Sequence, residues 1–106
     1  MRTGFYLAVL VVGALNSLPA AHASAGAQLA LDKGCFSCHG DPPRKNAPSF
    51  EALARDYARY QGEPAMETRL ADELREGHVF GGIPAHERLS AENARALVRW
   101  IIEGAR

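Results

Sequence analysis

Two thiols and an imidazole lie side by side in the sequence, in the run Cys35-Phe36-Ser37-Cys38-His39. These are the two cysteines of the whole chain, so the sequence offers no partner for a longer disulfide. A bridge between them would close a very small loop, which adds little stability because it hardly constrains the unfolded chain. The spacing instead suits one helical turn that presents both sulfurs on one side, next to an imidazole able to bind a transition metal.

The spacing Cys-x-x-Cys-His is the attachment motif of c-type haem. In that chemistry the thiols of Cys35 and Cys38 add to the two haem vinyl groups, and His39 becomes the first axial ligand of the iron. A thioredoxin-like dithiol would need a βαβ context, which the sequence lacks. A zinc site would need four ligands, and the candidates His78 and His86 lack the usual finger spacing. The motif therefore predicts one covalently bound haem c.

The beginning of the chain predicts export. Met1-Arg2 is followed by an apolar run over residues 5–15 and then by Ala21-His22-Ala23, the order found in secretory signal peptides. We expect cleavage after Ala23, which divides the chain into a signal peptide, residues 1–23, and a haem domain, residues 24–106. A membrane anchor is the alternative, but the apolar run is shorter than the ~20 residues that a spanning helix needs. The predicted location is the periplasm, with no stable membrane insertion after cleavage.

Length and charge narrow the range of functions. With 106 residues the chain is long enough for one domain with a modest core. Its formal net charge is zero at pH 7, so no strong field would attract nucleic acid or an anionic membrane. A core this small needs further support, which the apolar faces of a haem would supply.

Four amphipathic segments are predicted, and all of them have helical spacing. The first leads into the cysteine motif, the second begins after an N-cap at Ser49, the third opens with Pro64, and the last begins after Ser90 and ends at Gly104. Residues 40–48 and 78–89 carry the prolines and glycines typical of loops. No segment alternates as a strand would, so the predicted fold class is all-α, with about four helices around the haem.

Over residues 28–102 the chain resembles the small bacterial class I cytochromes c, whose first and last helices cross in a compact all-α fold. The cysteine motif resembles the family's attachment segment, and Ala47-Pro48-Ser49-Phe50 resembles its Gly-Pro-x-aromatic segment. The resemblance implies that the Pro48 carbonyl accepts a hydrogen bond from His39, which would set the tautomer of the imidazole. A proline there equally suits the start of a helix. The resemblance also implies that Trp100 packs near the haem, although plain core packing is the alternative.

The family's second axial ligand, a methionine, is missing from the matching position. The family pattern Trp-Gly-x-x-Pro-Met-Pro corresponds here to Phe80-Gly81-Gly82-Ile83-Pro84-Ala85-His86, so Ala85 stands where methionine binds iron. We expect His86 as the sixth ligand, with His78, at the other end of the same loop, as the alternative. Met66 shares the apolar stripe of the third helix and is expected in the core. In the remaining alternative the sixth site is open and His86 is an exposed loop residue.

These features predict a periplasmic electron carrier with one haem, which exchanges single electrons with redox partner proteins. It is not expected to be an enzyme by itself, because the sequence offers no constellation of catalytic acid, base or nucleophile. Histidine in place of the axial methionine should lower the reduction potential by about a few tenths of a volt. Two alternatives are a five-coordinate haem protein that binds a diatomic gas or small ligand, and a small haem subunit of a larger oxidoreductase.

Overall fold

The computed structural model describes Gly13, residues 20–77 and residues 82–106. These residues form six α-helices and a 3₁₀ turn, Ala58–Tyr60; the helices are α1 (Ala20–Asp32), α2 (Phe36–His39), α3 (Phe50–Tyr57), α4 (Pro64–Arg75), α5 (Pro84–Glu87) and α6 (Ala91–Ile102). The described residues contain no strand, which confirms the all-α prediction. Within the same residues, no helix has the length and apolar character needed to cross a membrane. Most of the predicted signal peptide, and His78, lie outside the described residues.

The predicted helix starts are found in α3, α4 and α6. The Ser49 hydroxyl caps α3 by accepting a hydrogen bond from the Ala52 amide at 3.1 Å. The Ser90 hydroxyl caps α6 in the same way, with the Asn93 amide at 3.0 Å. Pro64 is the first residue of α4, where its missing N–H costs no helical hydrogen bond. These starts depend on contacts within a single turn, which is why local sequence predicts them.

The structure differs from the prediction at two short helices. The first helix leads into the cysteine motif as predicted, but the motif forms a separate helix, α2, because Gly34 adopts a left-handed φ of 71° and separates it from α1. The second difference is α5, which forms inside the segment predicted as a loop and begins at Pro84. Both helices have four residues, too few for an amphipathic pattern to be visible in the sequence.

The last helix, α6, is the centre of the fold. It packs against α1, α3 and α4 and contributes most of the buried core: Ala94, Leu97, Val98, Trp100, Ile101 and Ile102. Helix α1 crosses α6 at Gly26, where a Cβ atom would lie only 2.3 Å from Cγ of Trp100. A bidentate ion pair from Arg99 to Glu67, at 2.8 Å, joins α6 to α4. The first and last helices therefore cross, as the family resemblance implies.

Candidate haem site

The two cysteines and His39 belong to one helical turn. The amides of Cys38 and His39 both donate to the Cys35 carbonyl, at 3.3 and 3.0 Å. The Cys35 amide donates to the Ala30 carbonyl of α1 at 2.9 Å, so the turn is tied directly to the first helix. Both thiols are free and partly buried, and burial raises the pKa of Cys35. Two thiols three positions apart on such a turn lie on the same side of it, as attachment to one group requires.

The imidazole of His39 is held by the backbone of Pro48. Its Nδ1–H donates to the Pro48 carbonyl oxygen at 2.6 Å. Since a carbonyl only accepts, the proton resides on Nδ1 and the lone pair of Nε2 is free for a metal. The intervening loop returns to His39 through a left-handed turn at Lys45 and Asn46, with φ of 55° and 58°, and through a bond from the Arg44 amide to the Cys38 carbonyl at 2.9 Å.

Helix α5 brings His86 to the same place. The ring centroids of His39 and His86 lie 6.0 Å apart, and the ring planes are within 16° of parallel. Burial, and then the neighbouring His39, lower the pKa of His86, which favours the neutral imidazole that ligates metals. Met66, in contrast, lies partly buried on α4. Of the two loop histidines, His86 is the one whose position can be compared with His39. The alternative ligand, His78, is not among the described residues.

The distance between the two imidazole ring centroids is close to that expected when one metal ion lies between two rings. Bonds from imidazole nitrogen to a first-row metal are about 2.0–2.1 Å long, so two such bonds in line separate the nitrogens by about 4 Å and the ring centroids by about 6 Å. The separation in the structure is 6.0 Å. Together with the paired thiols of Cys35 and Cys38, this donor set fits a covalently attached haem.

Exposed apolar side chains on the segments that carry the cysteine motif and His86 fit such a cofactor as well. Three large apolar side chains of the described residues are exposed: Leu31 (59%), Phe36 (41%) and Ile83 (52%). Phe36 lies between the cysteines, Leu31 lies on the last turn of α1, and Ile83 directly precedes α5. A haem at this place would remove apolar surface from water, which is the main driving force for holding an apolar group.

An aromatic cluster connects His39 to the core. Phe50 lies next to His39, with ring centroids 5.2 Å apart, and packs edge-on against Phe36 at 5.0 Å and Trp100 at 4.9 Å. Trp100 is 5% exposed, and its indole N–H donates to the Arg106 carbonyl at 3.1 Å. Trp100 is thus connected to His39 through Phe50, whose ring packs against both. Sequence reasoning did not single out Phe36, whose one available signal was an aromatic residue inside the cysteine motif.

Comparison with known proteins points to one family. Residues 23–104 match the cytochrome c family. Cytochrome c2 of Rubrivivax gelatinosus is 30% identical over 83 residues, which covers 73% of this chain and 94% of that protein. Cytochrome c-552 of Hydrogenobacter thermophilus is 31% identical over 81 residues (74% and 80% coverage), and cytochrome c-551 of Pseudomonas aeruginosa is 28% identical over 74 residues (67% and 68%). No solved structure matches the chain significantly.

The matched region includes the cysteine turn, the loop that returns to His39 and all helices from α2 to α6. Proteins of this family carry one covalently bound haem c, and the three relatives are cytochromes that carry electrons rather than enzymes. With a helical fold and the Cys-x-x-Cys-His motif in the matched region, this chain belongs to the cytochrome c family, as a monohaem electron carrier that exchanges electrons with redox partner proteins.

Proposed function

We propose that this cytochrome works in the periplasm and that its iron is held between His39 and His86. The observation that carries the ligand assignment is the near-parallel pair of imidazole rings with centroids 6.0 Å apart. The location is supported by the order of charged, apolar and small residues in residues 1–23 and by the bacterial origin of the relatives. The haem supplies a one-electron couple.

The chain's own residues have separate roles in this proposal. Cys35 and Cys38 fix the cofactor covalently, so that its orientation does not depend on binding equilibrium. The Pro48 carbonyl holds the His39 ring in the tautomer that presents Nε2, and the hydrogen bond increases the basicity of the ring towards iron. His86 contributes a second neutral nitrogen from the opposite side. Two fixed axial donors limit structural change between oxidation states, which suits electron transfer.

The ring geometry favours an electron carrier over a gas-binding haem protein. A five-coordinate haem needs an accessible site opposite the proximal histidine. In our proposal His86 fills that site, supported by the 6.0 Å between its ring centroid and that of His39. Imidazole is a poorer stabiliser of Fe(II) than the methionine common in cytochromes c, since methionine ligation raises the potential. We therefore expect a potential lower by about a few tenths of a volt than that of methionine-ligated cytochromes c, within the ~0.8 V range that axial ligands set.

Replacement of His86 tests the proposal. The oxidised wild-type protein should be low-spin and lack the absorption band of a methionine–iron bond, and the reduced protein should bind carbon monoxide slowly or not at all. His86→Ala should be high-spin and bind carbon monoxide readily, because the sixth position is then open. The matched control is His78→Ala, which should change neither property.

Two other results would contradict the assignment. A wild-type protein that is high-spin and binds carbon monoxide at once would favour the gas-binding alternative. A His86→Ala variant that stays low-spin would show that His78 or Met66 is the sixth ligand.

A further inference from the structure

Helix α5, which carries His86, is too short to be stable without contacts to the rest of the protein. Helix α5 has four residues, so its hydrogen bonds alone give it little stability. Two residues after its end, Leu89 is 5% exposed and packs into the core. The Leu89 amide donates to the His86 carbonyl at 3.2 Å, so the histidine is linked to this buried residue. A contact that fixes the position of Leu89 therefore also restricts the position of His86.

A long side chain from another helix binds Leu89. Nε of Arg75, the last residue of α4, donates to the Leu89 carbonyl at 2.9 Å. A second close approach lies beside it, since a Cβ atom at Gly77 would be 3.1 Å from Oε1 of Glu87 on α5. The last residue of α4 and the segment just after it thus border α5 and the residues that follow it at two points. Helix α4 is itself fixed to the core, because Ala71 is buried.

We infer that Arg75 is a positioning residue that keeps His86 within reach of the iron, an inference that rests on the proposed ligand role of His86. A metal bond tolerates little displacement: a ligand must be held within about 0.5 Å of its working position. Arg75 supplies this restraint through a charge-assisted hydrogen bond to the backbone that follows His86. Within the part of the chain that the structure describes, its guanidinium bonds to the Leu89 carbonyl and not to His39 or His86, so it acts through Leu89.

The rate of carbon monoxide binding measures how firmly His86 is held at the iron. The gas reaches reduced iron only when His86 has left it, so the observed binding rate is proportional to the dissociated fraction. Loss of one such hydrogen bond changes an equilibrium by about tenfold, so Arg75→Ala should bind carbon monoxide about tenfold faster than wild type. The oxidised variant should also gain a high-spin fraction. Arg75→Lys keeps a cationic donor and should recover part of the wild-type behaviour.

Two arginine variants serve as controls. Arg69→Ala removes an exposed ion pair with Glu73 on the same helix and should leave the carbon monoxide rate unchanged. Arg99→Ala breaks the ion pair between α6 and α4 without a contact to Leu89, so it controls for plain loss of stability. It should lower the unfolding temperature while the carbon monoxide rate stays near that of wild type.

The outcomes separate this inference from the proposed function. If His86→Ala is high-spin but Arg75→Ala matches wild type in spin state and carbon monoxide rate, His86 is the ligand and the role of Arg75 is refuted. If Arg99→Ala accelerates binding as much as Arg75→Ala does, general loosening explains the effect and the inference is overturned. If His86→Ala remains low-spin, the ligand assignment fails, and the role of Arg75 fails with it.

Discussion

The two proposed axial ligands are held in very different ways. His39 directly follows Cys38, its Nδ1–H is bound to the Pro48 carbonyl at 2.6 Å, and its ring packs against Phe50. His86 lies on a four-residue helix that is secured from outside, through Leu89. A ligand with several independent restraints dissociates less readily than one with few. We therefore expect His39 to stay on the iron under conditions that release His86.

Single and double replacement of the cysteines tests attachment at the residue scale. Cys35→Ala and Cys38→Ala should each keep one thioether, so the haem should stay with the chain after denaturation. The double variant should lose its haem and fold poorly, because the small core loses the stabilisation that the bound haem provides. Haem staining after denaturing electrophoresis and circular dichroism measure the two effects. Ser37→Ala, between the cysteines, is the control and should behave as wild type. A double variant that keeps the native fold without haem would refute the argument that the haem stabilises the small core.

At the scale of elements, the crossing of α1 and α6 determines where the cysteine turn lies. The turn is joined to the end of α1 by the bond between the Cys35 amide and the Ala30 carbonyl. Ala30 is fully buried, and Gly26, one turn earlier, lies against Trp100. The absence of a side chain at Gly26 lets the two helices approach closely. A change at this crossing would therefore be transmitted to the haem attachment turn.

Gly26→Ala tests this contact. Helix propensity by itself favours alanine over glycine by about 1 kcal/mol. The new Cβ would lie 2.3 Å from Cγ of Trp100, however, so the helices must separate. Overpacking typically costs about 1–3 kcal/mol, so after the gain in helix propensity we expect a net loss of up to about 2 kcal/mol in the free energy of unfolding, measured with denaturant. Ala25→Gly, at the exposed neighbouring position, should lose at most about 1 kcal/mol. A Gly26→Ala variant more stable than wild type would contradict the close approach.

At the scale of the whole molecule, the proposed cleavage is compatible with the core. Helix α1 begins at Ala20, whereas cleavage after Ala23 would leave Ser24 as the first residue. The part of α1 that contacts the core, including Gly26 and Ala30, lies beyond this point. Cleavage would thus shorten the helix by about its first turn and leave its packing against α6 intact.

The mature chain is therefore expected to begin at Ser24. Protein purified from a periplasmic fraction should show this residue in N-terminal sequencing, together with a mass that includes one haem. Ala23→Arg should block processing and leave the precursor, because the cleavage site requires small residues. Recovery of the native protein with Met1 in place would show that the signal peptide prediction is wrong.

Much of this protein was determined by local sequence. The Cys-x-x-Cys-His motif needs only one helical turn, and the caps at Ser49 and Ser90 bind amides three residues away. Such features depend on spacing along the chain, so they can be predicted without knowledge of the fold. The missing methionine at Ala85 was equally evident, but local sequence left His86 and His78 as alternatives.

Only the tertiary structure decided which distant residues meet. It placed the ring centroids of His86 and His39 6.0 Å apart and packed Trp100 against Gly26. It also formed the hydrogen bond from Arg75 to the Leu89 carbonyl. It also separated the cysteine motif from the first helix at Gly34, where a left-handed turn redirects the chain. None of these contacts follows from spacing, because each depends on how whole helices pack. That packing is the sum of many weak apolar contacts, most of them made by α6, and no single motif encodes it.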